Sequence, residues 1–255
     1  MSALTQAERR DYCIRFGDNA LILGQRLGEW CGHAPVLEED IALTNIALDL
    51  VGQARLWLSH AGAVEGEGRD EDALAMKRDV LDFRNVLLVE QPNGDFAHTI
   101  ARQFLYDAWA VPLYQALSSS TDETIRGIAE KAVKESLYHR RHSSEWVIRL
   151  GDGTEESRAR MITALDEFWG FQDELFEMDA LDAKALAAGV GVDLAGLRPV
   201  WTAHIEAVLA QATLPLPGVT WRVTGGRRGR HSEHLGYILA ELQFLQRAYP
   251  DAVRW

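Results

Sequence analysis

Apolar residues recur along most of this chain at steps of three and four, the spacing that keeps side chains on one face of a helix. The stripe Phe16, Ala20, Leu23, Leu27 and Trp30 predicts a helix over 5–32. A second helix over 36–61 is expected to start at Pro35, with Glu38, Glu39 and Asp40 at the positive end of its dipole. After the Gly-rich break GAVEGEG comes a short piece at 70–90, then a helix over 95–118 capped by Asp95. In SSTDE, Ser120 and Glu123 have capping-box spacing and open a helix that ends near Gly151 and Gly153. Further helices are predicted over 155–177, 180–189 and 195–212, followed by a Pro/Gly loop at 213–231. A final helix over Ser232–Tyr249 is stopped by Pro250.

Only VTWRV, at 219–223, alternates as a strand would, and it is short. Four long segments of six to eight turns therefore predict an all-α, up-down four-helix bundle with additional C-terminal helices. With no repeat, low-complexity tract or linker, the chain reads as one domain over 1–255.

Composition agrees with a globular chain: 47% apolar and 25% charged residues can bury a sizeable core. No run of about 18 apolar residues occurs, and MSALTQAERRDYC lacks a signal-peptide core, so a cytoplasmic protein off the membrane is expected. On one helix, Cys13 and Cys31 would lie about 27 Å apart, too far for a disulfide, so both read as buried thiols. A net charge of −12 argues against nucleic acid as a partner. One local exception is GGRRGR, where Arg227, Arg228 and Arg230 precede a helix N-terminus. They are candidate contacts for an acidic partner or for an anionic ligand.

KESLYHRRHSSEW, residues 134–146, carries the candidate chemistry. Glu135, His139 and His142 recur at helical spacing. A carboxylate-bridged di-metal bundle takes one carboxylate from each of two helices and a Glu-x-x-His pair from each of the other two. Glu135 has Tyr138 at the position three residues on, where histidine is needed. In LDLVGQARLW the matching positions are Leu50 and Gln53, a side chain that cannot ligate and a neutral amide. Half of the ligand set is missing, so the plain reading of Glu135, His139 and His142 is a solvated or partner-facing helix face. An autonomous metal-binding bundle using these three, with Glu29 and His33, is the alternative. Asp107, on an apolar and aromatic face, needs a partner such as Lys134, Arg102 or a hydroxyl if it is buried. Asp107 and Glu135 are then expected to share an internal polar network. Trp109, Trp146, Trp169, Trp201 and Tyr237 read as core or interface aromatics.

DNALILGQRLGEWCGHAPVLEEDIALTNIALDLVGQAR, VEQPNGDFAHTIARQFLYDAW, KESLYHRRHSSEWVIRLGDGT and GRRGRHSEHLGYILAELQFLQRAYP together carry a resemblance from about residue 14 onward. They resemble the structural, non-catalytic subunits of bacterial multicomponent phenylacetyl-CoA epoxidases. The resemblance implies a ferritin-like fold, no iron in this chain, and a homologous catalytic subunit that holds the di-iron centre. It also implies a flavin and iron–sulfur reductase as a further partner, and phenylacetyl-CoA as substrate near the shared surface. A homodimer stays open.

Overall fold

The computed structural model describes residues 4–250. The fold is all-α and ferritin-like, and among the described residues there is no β-strand. The chain divides into two compact units: Leu4–Pro92 together with the part from Gly225 onward, and Asn93–Thr224. No described helix is long and apolar enough to cross a membrane.

In the first unit, α1 (Gln6–Gly28) packs along α2 (Leu37–Glu65). Thr5 caps α1 through a box with Glu8. Pro35 lies outside α2, whose N-cap is Val36, so it ends the preceding loop rather than opening the helix. The second helix runs past 61 because Ala61 and Gly62 stay buried, and it stops at Gly66 in the left-handed region, φ 72°. The short helices α3 (Glu71–Met76) and α4 (Leu87–Glu90) follow, with a 3-10 turn at Val80–Asp82 between them. Past the second unit, the first unit resumes with α10 (Glu233–Leu242) and α11 (Phe244–Ala248). The single terminal helix predicted from the sequence is broken at Gln243, whose amide donates to the carbonyls of Ala75 (2.9 Å) and Arg78 (3.0 Å).

From Tyr12 to Gly24, α1 is buried on every side, polar residues included. Those residues serve the irregular segment 78–90, whose backbone groups need partners once they leave water. Asp18 is ion-paired with Arg78 and accepts the backbone N–H of Arg84 at 2.8 Å. Asn19 accepts that of Val86 at 2.8 Å, and Arg26 donates twice to the carbonyl of Glu90.

The Glu90 carboxylate is wholly buried and draws in the C-terminal loop. It accepts from Asn85 (2.9 Å), from His231 Nδ1 (2.8 Å), and from Ser232 through both its backbone N–H (2.6 Å) and its hydroxyl (2.7 Å). His231 Nε2 donates to the Phe83 carbonyl at 3.0 Å. With Glu90 ionised both partners of this ring are acceptors, an arrangement that favours the imidazolium form of His231. Burial opposes that charge, but Glu90 and the Phe83 carbonyl outweigh it and hold the pKa above its ordinary value.

The second unit is built on α5 (Phe96–Leu117) and α6 (Glu123–Gly151), with α7 (Glu155–Trp169), α8 (Ala180–Ala187) and α9 (Arg198–Gln211) around them. Asp95 caps α5, as its position predicts. The cap of α6 is Asp122, not Ser120: the Ser120 hydroxyl donates instead to the Val190 carbonyl at 2.8 Å. The helix predicted to 177 ends at Trp169, and a 3-10 turn covers Gln172–Phe176. The strand-like run 219–223 lays Trp221 over Gly170, where any β-carbon would meet the indole ring 2.1 Å away. Trp201 donates its indole N–H to the Leu105 carbonyl at 3.0 Å, fixing α9 on α5.

A raised histidine pKa stabilises the fold fully below about pH 6.5, and that contribution is lost as pH rises through the folded value. His231→Ala should cost about 3 kcal/mol near pH 6, because Glu90 is left buried without its cation. The deficit should shrink by pH 9. Denaturant unfolding at the two pH values checks this, and a deficit independent of pH contradicts it.

Candidate functional site

The inward face of α2 presents Leu43, Ile46, Leu50, Gln53 and Trp57, all buried. Leu50 and Gln53 stand one turn apart, as a Glu-x-x-His pair would. The first offers no donor atom and the second only a neutral amide, so these two positions cannot supply the anionic oxygens that a pair of hard cations requires.

In the second unit the polar centre is Asp107 on α5, only 1% exposed. Gln103, one turn earlier, donates to its Oδ1 at 2.7 Å, and Ser143 of α6 donates to its Oδ2 at 2.9 Å. The required partner is therefore a hydroxyl and an amide. Lys134 is exposed, and Arg102 reaches Asn93 at 2.6 Å. Burial pushes the Asp107 pKa up to about 6, against the pull of His139 and of the hydrogen bonds from Ser143 and Gln103. Nearby, the ring of His204 contacts Ser144 Oγ at 3.1 Å, and burial drives its pKa down to about 4, which leaves it neutral.

The remaining residues singled out on α6 do not gather at Asp107 as a set. Glu135 is ion-paired with Lys131 at 3.3 Å, along its own helix. Tyr138 is largely exposed, with its ring stacked against His142 and the Arg141 guanidinium 5.6 Å from its centroid. His139 is buried and within electrostatic reach of Asp107. In the first unit, Glu29 pairs with Arg26 at 2.8 Å, and His33 contacts the Cys31 carbonyl at 3.0 Å. Among the described residues, no three His, Cys, Asp or Glu side chains converge where one ion could sit. The cysteines differ from the reading of two buried thiols: Cys13 is buried and Cys31 exposed.

The arginine loop divides. Arg228 and Arg230 are exposed, whereas Arg227 is buried. The loop glycines serve packing rather than anion binding. A β-carbon on Gly226 would meet the Asn85 carbonyl oxygen 2.1 Å away, and Gly229 adopts φ 75° beside the Leu81 carbonyl. With His231 and Ser232 bound to Glu90, the loop is pinned on segment 81–90, and only Arg228 and Arg230 face solvent. Sequence reasoning missed Gln103, Ser143, Glu90 and His231. Gln103 had a signal, four residues before Asp107 on one helix face; the others meet only through tertiary packing.

The profile of the family described as "Phenylacetic acid catabolic protein" matches residues 1–255. The chain is 52% identical over 239 residues to one of the subunits of the 1,2-phenylacetyl-CoA epoxidase of Escherichia coli (strain K12), covering 94% of this chain and 96% of that protein.

A carboxyl whose folded pKa is raised stabilises the fold below its ordinary value near 4, and that contribution is lost as pH rises through about 6. Asp107→Asn keeps the shape and removes the charge. Relative to the unsubstituted protein, it should gain up to about 3 kcal/mol between pH 4 and pH 8. Asp107→Ala should instead destabilise by about 1–3 kcal/mol, because Gln103 and Ser143 lose their acceptor. Denaturant titrations across that range check both. A pH-independent difference for the Asn variant, or loss of bound iron in the Ala variant, contradicts this account.

Proposed function

Because the chain belongs to the phenylacetic acid catabolic protein family, we propose that it is the structural, non-catalytic subunit of a multicomponent phenylacetyl-CoA epoxidase. A role in phenylacetate catabolism follows from the family and the epoxidase relative. The finer reading rests on one observation: α2 offers Leu50 and Gln53 where an iron-binding helix would offer a carboxylate and an imidazole. In this reading the chain holds no iron. It works in the cytoplasm, stabilises a homologous di-iron catalytic subunit, and leaves electron supply to a flavin and iron–sulfur reductase. Arg228 and Arg230 are the exposed cations of its pinned loop, suited to an acidic subunit surface or to the phosphates of a CoA thioester near that surface.

The alternative, an autonomous metal-binding bundle, draws little support from the geometry. Its residues Glu135, His139 and His142 are engaged with Lys131, Asp107 and Tyr138 respectively.

The test is reconstitution. The purified chain alone, given phenylacetyl-CoA, reductase and NADPH, should consume no substrate above background. Adding the catalytic subunit should yield epoxide, at a rate exceeding that of the catalytic subunit alone. Turnover by the isolated chain, or a catalytic subunit equally active without it, contradicts the proposal.

A further inference from the structure

The outward face of α2 has a pattern that the buried core does not explain. Leu37, Ile41, Thr44, Leu48 and Val51 follow one another at steps of four, three, four and three. That alternation is the narrow seam by which one helix meets another lengthwise, knobs into holes. Here the seam faces solvent: Leu37 is 71% exposed, Leu48 64%, Ile41 54% and Val51 38%. It extends over 14 residue steps, about 21 Å of helix. Scattered apolar residues on a surface need no explanation, but an ordered row of four large ones does.

Two features fix the occupant. The step pattern requires a helix laid along α2, since a loop or an isolated side chain has no use for a regular seam. The charges set its chemistry: between Leu37 and Ala54 there is no lysine or arginine, whereas Glu38, Glu39, Asp40 and Asp49 are all acidic. Glu39 is buried, and Asp40 accepts the backbone N–H groups of Gly32 and Ala34, so exposed Glu38 and half-buried Asp49 give the flanks their charge.

We infer that this face of α2 is the docking surface for an amphipathic helix of another epoxidase subunit, apolar along its seam and lysine- or arginine-bearing at its edges. The inference rests on the structural-subunit reading and locates its contact. Leu48 and Ile41 are the anchors, being the large central side chains of the row. The charged flanks select orientation and speed encounter.

The test uses the full-length chain, affinity-tagged and co-expressed with the other epoxidase subunits. Leu48→Arg and Ile41→Arg are compared with Phe244→Arg, which replaces an equally exposed apolar residue on α11 (61%). Helicity and melting temperature establish that each variant folds. The two α2 variants should each lower the co-purified subunits by about tenfold or more, the scale of losing a central anchor. The Phe244 variant should stay within about twofold, and capture by the unsubstituted chain should weaken as salt rises. Undiminished capture by folded Leu48→Arg and Ile41→Arg, while the unsubstituted chain captures its partners, overturns the docking surface and leaves the subunit reading standing. Loss of self-association rather than of partner capture in those variants assigns the face to a second copy and also overturns it. If the unsubstituted chain captures no other subunit, the reading of function fails first.

Discussion

Two hard cations held a few ångströms apart need anionic oxygens around them, and no rearrangement of a helix can substitute for side chains it does not have. From Leu43 to Trp57 the inward row of α2 is Leu43, Ile46, Leu50, Gln53 and Trp57, packed out of water, and the buried carboxylate of the helix, Glu39, lies a turn before it. Only Gln53 and the Trp57 indole in that row have a polar atom, and none carries charge. The proposed role rests on this: a subunit that would contribute its shape and its surfaces rather than iron of its own.

Carboxylates inside a fold must be satisfied by hydrogen-bond donors or by cations, and this chain uses both. Asp107 has only uncharged donors, Gln103 and Ser143, directly on its oxygens, and burial raises its pKa toward the neutral acid. Glu90 meets a cation that the same chain supplies from 141 residues away, along with three further donors from Asn85 and Ser232. In the second arrangement one pair does two jobs. It satisfies a buried charge, and it fastens the C-terminal loop to segment 81–90, which sets where Arg228 and Arg230 emerge. The difference also separates the two groups in pH: one loses its contribution through about 6, the other above the ordinary histidine value.

Helix periodicity made the fold class legible. The stripe from Phe16 to Leu27, the Asp95 cap and the four long segments appear where their spacing puts them, whereas the first helix ends at Gly28 and leaves Trp30 in the turn beyond it. Helix ends were less legible, because capping depends on which side chain the next segment leaves available. Ser120 had the right spacing for a cap, but Val190 claims its hydroxyl. Gln243 sits in an unbroken helical pattern, yet its amide is drawn to Ala75 and Arg78 and the helix divides there. The boundaries of the two compact units left no mark in composition, since one unit is assembled from both ends of the chain. At the site, the leucine and glutamine on α2 could be read directly. That Arg227 is buried while Arg228 and Arg230 are exposed could not be, because it depends on how the loop packs, with Gly226 close against the Asn85 carbonyl.

The claim that α2 removes this chain from iron chemistry is tested most directly by the metal content of the chain purified alone after expression in iron-replete medium. Elemental analysis should find well under one iron per chain, and Mössbauer spectra should lack the coupled doublet of an oxo-bridged pair. Two irons per chain with that doublet would contradict the account.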